Sequence, residues 1–180
     1  RKYKILSHQK IFAIGNGVDI QRFNPKIYNS SKSIKKSLCI PDDAFVIGMI
    51  CRLVQEKGVE EFLEAAKIIS NKEQNCYFLL IGERQTHDHA KSVDNLIDQI
   101  KGDMGNRLIL TGYRSDIPDL LSAMNLFVLP SWREGMPRSI IEAMMMKLPV
   151  LATNIRVSRE EVLPNITEEL VSIKSPKELA

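Results

Sequence analysis

The stretch FVIGMICRLVQEKGVEEFLEAA, residues 45–66, decides the fold. Its first part, 45–53, is nearly continuous in apolar residues up to Cys51. Its second part, 59–70, sets Val59, Phe62, Leu63, Ala66 and Ile69 on one helical face. A continuous apolar run suits a strand covered on both faces, and the amphipathic segment after it suits a helix that covers one of them. Outward from this unit the alternation repeats. Strands are expected over 10–14, 76–82, 107–112, 126–130, 149–153 and 169–173. Helices are expected over 92–102, 116–124, 137–146 and 158–163, with a last one capped by Ser175 and opened by Pro176. The polar, lysine- and serine-rich tract 24–37 reads as a loop leading into a helix.

Strand–helix alternation of this kind means βαβ crossovers and a parallel sheet. The expected fold class is therefore α/β, a Rossmann-like parallel sheet with helices on both faces. Such sheets bind ligands at the carboxyl ends of their strands, so the turns after residues 51, 82, 112, 130 and 153 are where chemistry is expected.

The bulk numbers are compatible with this. The chain has 180 residues, 44% hydrophobic and 26% charged, the range of one soluble domain with a real core. Its net charge of +3 comes without a dominating basic run, which argues against a nucleic-acid partner and still suits a phosphate-bearing small ligand. The three cysteines, Cys39, Cys51 and Cys76, form no C-x-x-C and read as buried thiols in a reducing compartment. No apolar run approaches the roughly 20 residues that span a bilayer. The opening RKYKILSHQK lacks the apolar core of a signal peptide, and a cytoplasmic location is expected.

Two stretches could carry chemistry. In CRLVQEKG, 51–58, Arg52 ends a strand and Lys57 and Gly58 open a helix. Two cations at a helix amino end suit a phosphate; two solvated loop cations are the alternative. In SWREGMPRSIIEAMMM, 131–146, Glu134 and Glu142 flank a Gly-Met-Pro turn. If Pro137 opens the helix, the N–H groups of Gly135 and Met136 face an anion and Glu142 can accept hydrogen bonds from a pair of hydroxyls. If Ser139 is the cap, Glu142 closes a capping box, which local sequence alone favours and Pro137 opposes. THDH, 86–89, reads as a solvated loop rather than a metal site. GNGVDI, 15–20, lacks the third glycine of a dinucleotide fingerprint.

These stretches, in this order, resemble the carboxyl-terminal half of family 4 (group 1) glycosyltransferases, two-domain enzymes of the GT-B fold. The resemblance is carried by IGNGVDIQRFNP (14–25), IGMICRLVQEKGVEEFLEAA (47–66) and the long run 108–155, which includes an E-x7-E motif at Glu134 and Glu142. It implies that Arg52 and Lys57 bind a donor diphosphate, that Glu134 faces the transferred sugar and that Glu142 binds the ribose. Gly135, Met136, Pro137 and Arg138 then belong to the turn beside sugar and phosphate, and Tyr113, Arg114 and Asp116 lie near the base. The catalytic set so implied is Glu134, Arg52 and Lys57. The implied reaction transfers a sugar from a nucleoside-diphosphate sugar with retention of configuration, without a metal or other cofactor.

Residues 1–13 are then expected to be the link from an amino-terminal acceptor domain, and 14–180 the donor domain, cut within its last helix. The acceptor, a glycan or a lipid-linked sugar, would be held by that other domain, at the membrane periphery in the longer protein. A sugar-nucleotide epimerase half-domain and a non-catalytic flavodoxin-like nucleotide module are the alternatives. The sequence departs from the family pattern at Lys147 and Val157, where glycine is common, and in NITEELVSI (165–173), which lacks a glycine-rich turn.

Overall fold

The structure is a computed structural model, and it describes residues 17–28, 31–86, 88, 92–155 and 168–180. Its strands are β1 (Phe45–Ile50), β2 (Cys76–Ile81), β3 (Leu108–Leu110), β4 (Leu126–Leu129), β5 (Val150–Thr153) and β6 (Glu168–Val171). Its helices are α1 (Ser31–Ser37), α2 (Val59–Lys72), α3 (Asp94–Met104), α4 (Ile117–Ser122), α5 (Arg138–Met145) and α6 (Pro176–Leu179). Short 3-10 turns precede α2 at Gln55–Lys57 and follow α3 at Gly105–Arg107. The expected strand at 10–14 and helix at 158–163 lie outside the described residues, as does Val157.

The six strands form one sheet in the order β3-β2-β1-β4-β5-β6, and every pairing is parallel. Register is set by Ile47 opposite both Phe78 and Leu126, and by Phe127 opposite Val150. The order runs outward in one direction from β1 and in the other from β4. Right-handed crossovers therefore put α2 and α3 on one face, and α4 and α5 on the other. Strand burial agrees, since Val46 through Met49 are buried consecutively rather than alternately. Phe78 and Phe127 are among the largest fully buried side chains, and Phe62 of α2 meets Phe78 edge to face at 6.3 Å.

Several local expectations change. The apolar run 45–53 is strand only to Ile50; beyond it Cys51 and Leu53 still donate to Ile81 and Glu83, but the backbone turns toward the 3-10 segment. Pro137 stands just before α5 in an extended conformation, φ −77° and ψ 94°, so the helix opens at Arg138 rather than at the proline. Ser139 lies inside the helix, and Ile140 N donates to Pro137 O, which rules out the capping box. Cys39 is exposed, not buried, and Cys51 and Cys76 are only partly buried. At Lys147 the turn is the one a glycine would make. Its φ is 62°, with Leu148 N donating to Ala143 O and Lys147 N to Met144 O, a left-handed helix end carried by a lysine.

Candidate functional site

The change of direction between β1 and β4 opens a crevice at their carboxyl ends, the position where such sheets take ligands. A cleft of about 540 Å³ lies there, within the range of small-molecule sites. Arg52, Tyr113, Arg114, Arg138 and Glu142 line it. Arg52 and Glu142, 90 positions apart in sequence, thus line one cleft. Close approach of the strand ends depends on glycine. At Gly82, φ is 131° and a Cβ would lie 1.8 Å from Cys51 O. At Gly58, φ is 74° and a Cβ would lie 2.1 Å from Pro130 O, so the start of α2 meets the end of β4 only because no side chain intervenes.

Glu142 sits in the second turn of α5 with its side chain 15% exposed. Burial raises its carboxyl above the ordinary glutamate value, against the pull of Arg138 and Arg22. Arg138 NH2 is 3.7 Å from it, too far for a good hydrogen bond. An acceptor-only group is thus kept in a partly desolvated cleft among cations, where a donor hydroxyl would satisfy it.

Arg52 is half exposed and pairs with Asp88 and, at 3.6 Å, with Glu56. Asp88 belongs to the THDH loop, so one residue of that motif is placed as a partner of Arg52; His87 and His89 lie outside the described residues. Among the described residues no cluster of histidine, cysteine and carboxylate side chains could hold a metal ion. Arg114 is held by Asp116 at 2.8 Å, which raises the guanidinium and keeps the carboxyl below its usual range. Asp116 itself is not a lining residue, and Tyr113 is largely exposed at the cleft edge.

Glu134 and Lys57 are brought together, but to each other. Lys57 Nζ donates to both carboxylate oxygens of Glu134 at 2.7 Å, and Ser131 Oγ donates to Oε1 at 2.7 Å. Ser131 is fixed in turn by Thr153 Oγ1, which donates to its carbonyl. This cluster stands beside the cleft, and neither it nor Gly135, Met136 and Pro137 line it. Gly135 has no heavy atom near the place of a Cβ, so the fold does not require glycine there. Cys51 lines the cleft, but burial pushes its thiol up to about 12, so it is no nucleophile at neutral pH.

Sequence reasoning missed Arg22, Glu83 and Gln85. Arg22 lines the cleft and donates to Ser115 O at 2.7 Å across 93 residues of chain. Its only sequence signal was its place in GVDIQRF, close to where the resemblance begins.

A parallel sheet in this order, with a cation-lined cleft and one half-buried carboxylate at its switch point, defines an α/β domain of Rossmann type. The family described as "Glycosyl transferases group 1" matches residues 44–180, and the chain belongs to that family. It is 38% identical over 148 residues to the UDP-Gal:alpha-D-GlcNAc-diphosphoundecaprenol alpha-1,3-galactosyltransferase of Escherichia coli, covering 81% of this chain and 37% of that protein. Among solved structures, Anabaena Alr3699/HepE in complex with UDP-glucose superposes with a TM-score of 0.81 at 27% identity, covering 92% of this chain and 44% of that one. The C-terminal domain of a glycosyl transferase group 1 family protein (LpcC) from Francisella tularensis superposes with a TM-score of 0.74 at 28% identity, covering 91% of this chain and 84% of that one. The chain thus spans well under half the length of the curated relative and has the fold of one half of a GT-B enzyme.

Proposed function

We propose that this chain is the donor-binding half of a retaining glycosyltransferase, moving a sugar from a nucleoside-diphosphate sugar to a glycan or lipid-linked acceptor. The observation that carries the reading is one cleft holding the half-buried Glu142 together with Arg22, Arg52, Arg114 and Arg138. Glu142 accepts hydrogen bonds from the ribose hydroxyls. Arg52, released from Asp88, grips the diphosphate bidentately. Tyr113 and Arg114 border the base. Lys57 and Glu134, with the turn Gly135–Pro137, lie on the sugar side of the phosphates.

Negative charge develops on the leaving diphosphate as the glycosidic bond breaks. Cations fixed beside it stabilise that state more than the ground state, and they supply the neutralisation without a metal. The Escherichia coli relative is named for a sugar on diphosphoundecaprenol as its acceptor, which supports a lipid-linked acceptor here. We propose for the longer protein a cytoplasmic location at the periphery of the inner membrane. No helix among the described residues is long and apolar enough to cross a membrane. A second domain supplies the acceptor contacts.

The test is calorimetric titration with UDP, GDP and ADP. Saturable binding of at least one is expected, and binding of none overturns the reading. Sugar transfer by residues 1–180 alone would overturn the assignment of the acceptor to another domain.

A further inference from the structure

Trp132 is the single tryptophan of the chain, and three elements meet on it. Its backbone N–H donates to Glu56 O at 2.9 Å, tying the turn after β4 to the 3-10 turn that carries Lys57. Its indole Nε1–H donates to Glu61 Oε1 at 2.7 Å. Lys174 Nζ lies 4.0 Å from the ring centroid on its face. Lys174 holds this place with φ 57°, a left-handed conformation that is unfavourable for a lysine. Two residues after Trp132, on the same turn, Glu134 takes both Lys57 and Ser131.

Glu61 stands in the first turn of α2, 7% exposed, and its second oxygen is buried without a hydrogen-bond partner. A helix amino end favours a carboxylate, but solvent-facing positions of the same turn would serve that purpose. A half-satisfied buried carboxylate weakens a fold relative to an apolar side chain of similar size. Stability therefore gives no reason for Glu61 to be there.

We propose that Glu61 and Trp132 are a positioning pair. Anchored at its indole by Glu61 and overlaid by Lys174, Trp132 fixes the turn that carries Glu134 against the turn that carries Lys57. Neither residue lines the cleft, so neither is expected to touch the donor nucleotide. The inference rests on the glycosyltransferase reading for its consequence in catalysis, while the anchor itself is a matter of this chain's own geometry.

The experiment compares wild type, Glu61→Leu, Glu61→Gln, Trp132→Phe and the double variant E61L/W132F. Transfer is measured in the longest chain that contains residues 1–180, and UDP binding and Trp132 emission in residues 1–180. Glu61→Leu and Trp132→Phe are expected to lower kcat at least tenfold with the donor KM and UDP Kd within twofold. Glu61→Gln, which keeps an oxygen acceptor, is expected to restore kcat to within threefold. The double variant removes both polar partners, so it folds at least as stably as either single one and still loses kcat. Equal kcat in Glu61→Leu, Glu61→Gln and wild type overturns the proposal, and so does a loss confined to Kd. If wild type neither binds UDP nor transfers sugar, the functional reading fails instead, and the anchor is judged by emission alone. A shift in Trp132 emission and acrylamide quenching in Glu61→Leu but not in Glu61→Gln upholds it; identical spectra in all three overturn it.

Discussion

The pairing of Lys57 with Glu134 invites a double-mutant cycle, with Lys57→Met, Glu134→Gln and the two combined. Both oxygens of Glu134 lie 2.7 Å from Lys57 Nζ. At that separation the gross attraction is about 6 kcal/mol for an effective dielectric near 20. The side chains are 17% and 10% exposed, so loss of hydration offsets much of that. A net coupling of about 2 kcal/mol is expected, with each single variant losing about 2–3 kcal/mol because it leaves one desolvated charge without its partner. Glu134→Gln keeps an oxygen for the Ser131 hydroxyl, so the cycle isolates the ion pair. Urea unfolding of the four proteins gives the four free energies. A coupling below about 0.5 kcal/mol would refute the reasoning and put the pair among exposed ion pairs that contribute little.

Other consequences are as direct. Gly58→Ala should destabilise the chain by about 2–4 kcal/mol in the same urea assay, since a Cβ at φ 74° would meet Pro130 O at 2.1 Å. Lys147→Gly should stabilise it by about 1 kcal/mol, because the position already has the left-handed conformation that glycine adopts without strain. Glu142 sets a pH dependence. Its carboxyl is raised by burial in the free chain, and hydroxyls bonded to the ionised form bring it back down. Donor binding then releases a proton, and affinity falls as pH drops through the raised pKa, starting above the ordinary 4.5. In the free chain the sign is the opposite one for folding: the stability contribution of this group declines as pH rises from its unfolded value through the raised one. Titrations across pH in wild type and Glu142→Gln check this, and identical profiles would contradict it.

The sheet was legible because parallel strands need apolar residues on both faces. Runs such as 76–82 and 126–130 therefore announce themselves without help from distant parts of the chain. Arg52 was legible for the same reason, standing after a strand and before an amphipathic helix. Strand ends were less so. The run 45–53 stays apolar past Ile50, and what turns the backbone there is the approach of the β2 end, where Gly82 admits Cys51 O. The capping box at Ser139 had the right residues at the right spacing, yet Pro137 stands directly before α5, which opens at Arg138 and leaves Ser139 inside the helix. Lys57 with Glu134 was hidden because 77 residues separate them, and their meeting depends on β1 lying beside β4. Arg22 was hidden more deeply, since its partner is a backbone carbonyl, which leaves no trace in residue type.

The central claim is that Glu142 holds the ribose and Arg52 the diphosphate of one bound donor. It is tested most directly by titrating wild type, Arg52→Ala and Glu142→Ala with UDP and with uridine. For UDP, both variants should weaken binding by a factor of about 10–100, as loss of a charge-assisted hydrogen bond implies. For uridine, Glu142→Ala should weaken binding by a similar factor and Arg52→Ala by less than twofold. Equal losses of uridine binding in the two variants, or UDP binding unchanged in either, would contradict the account.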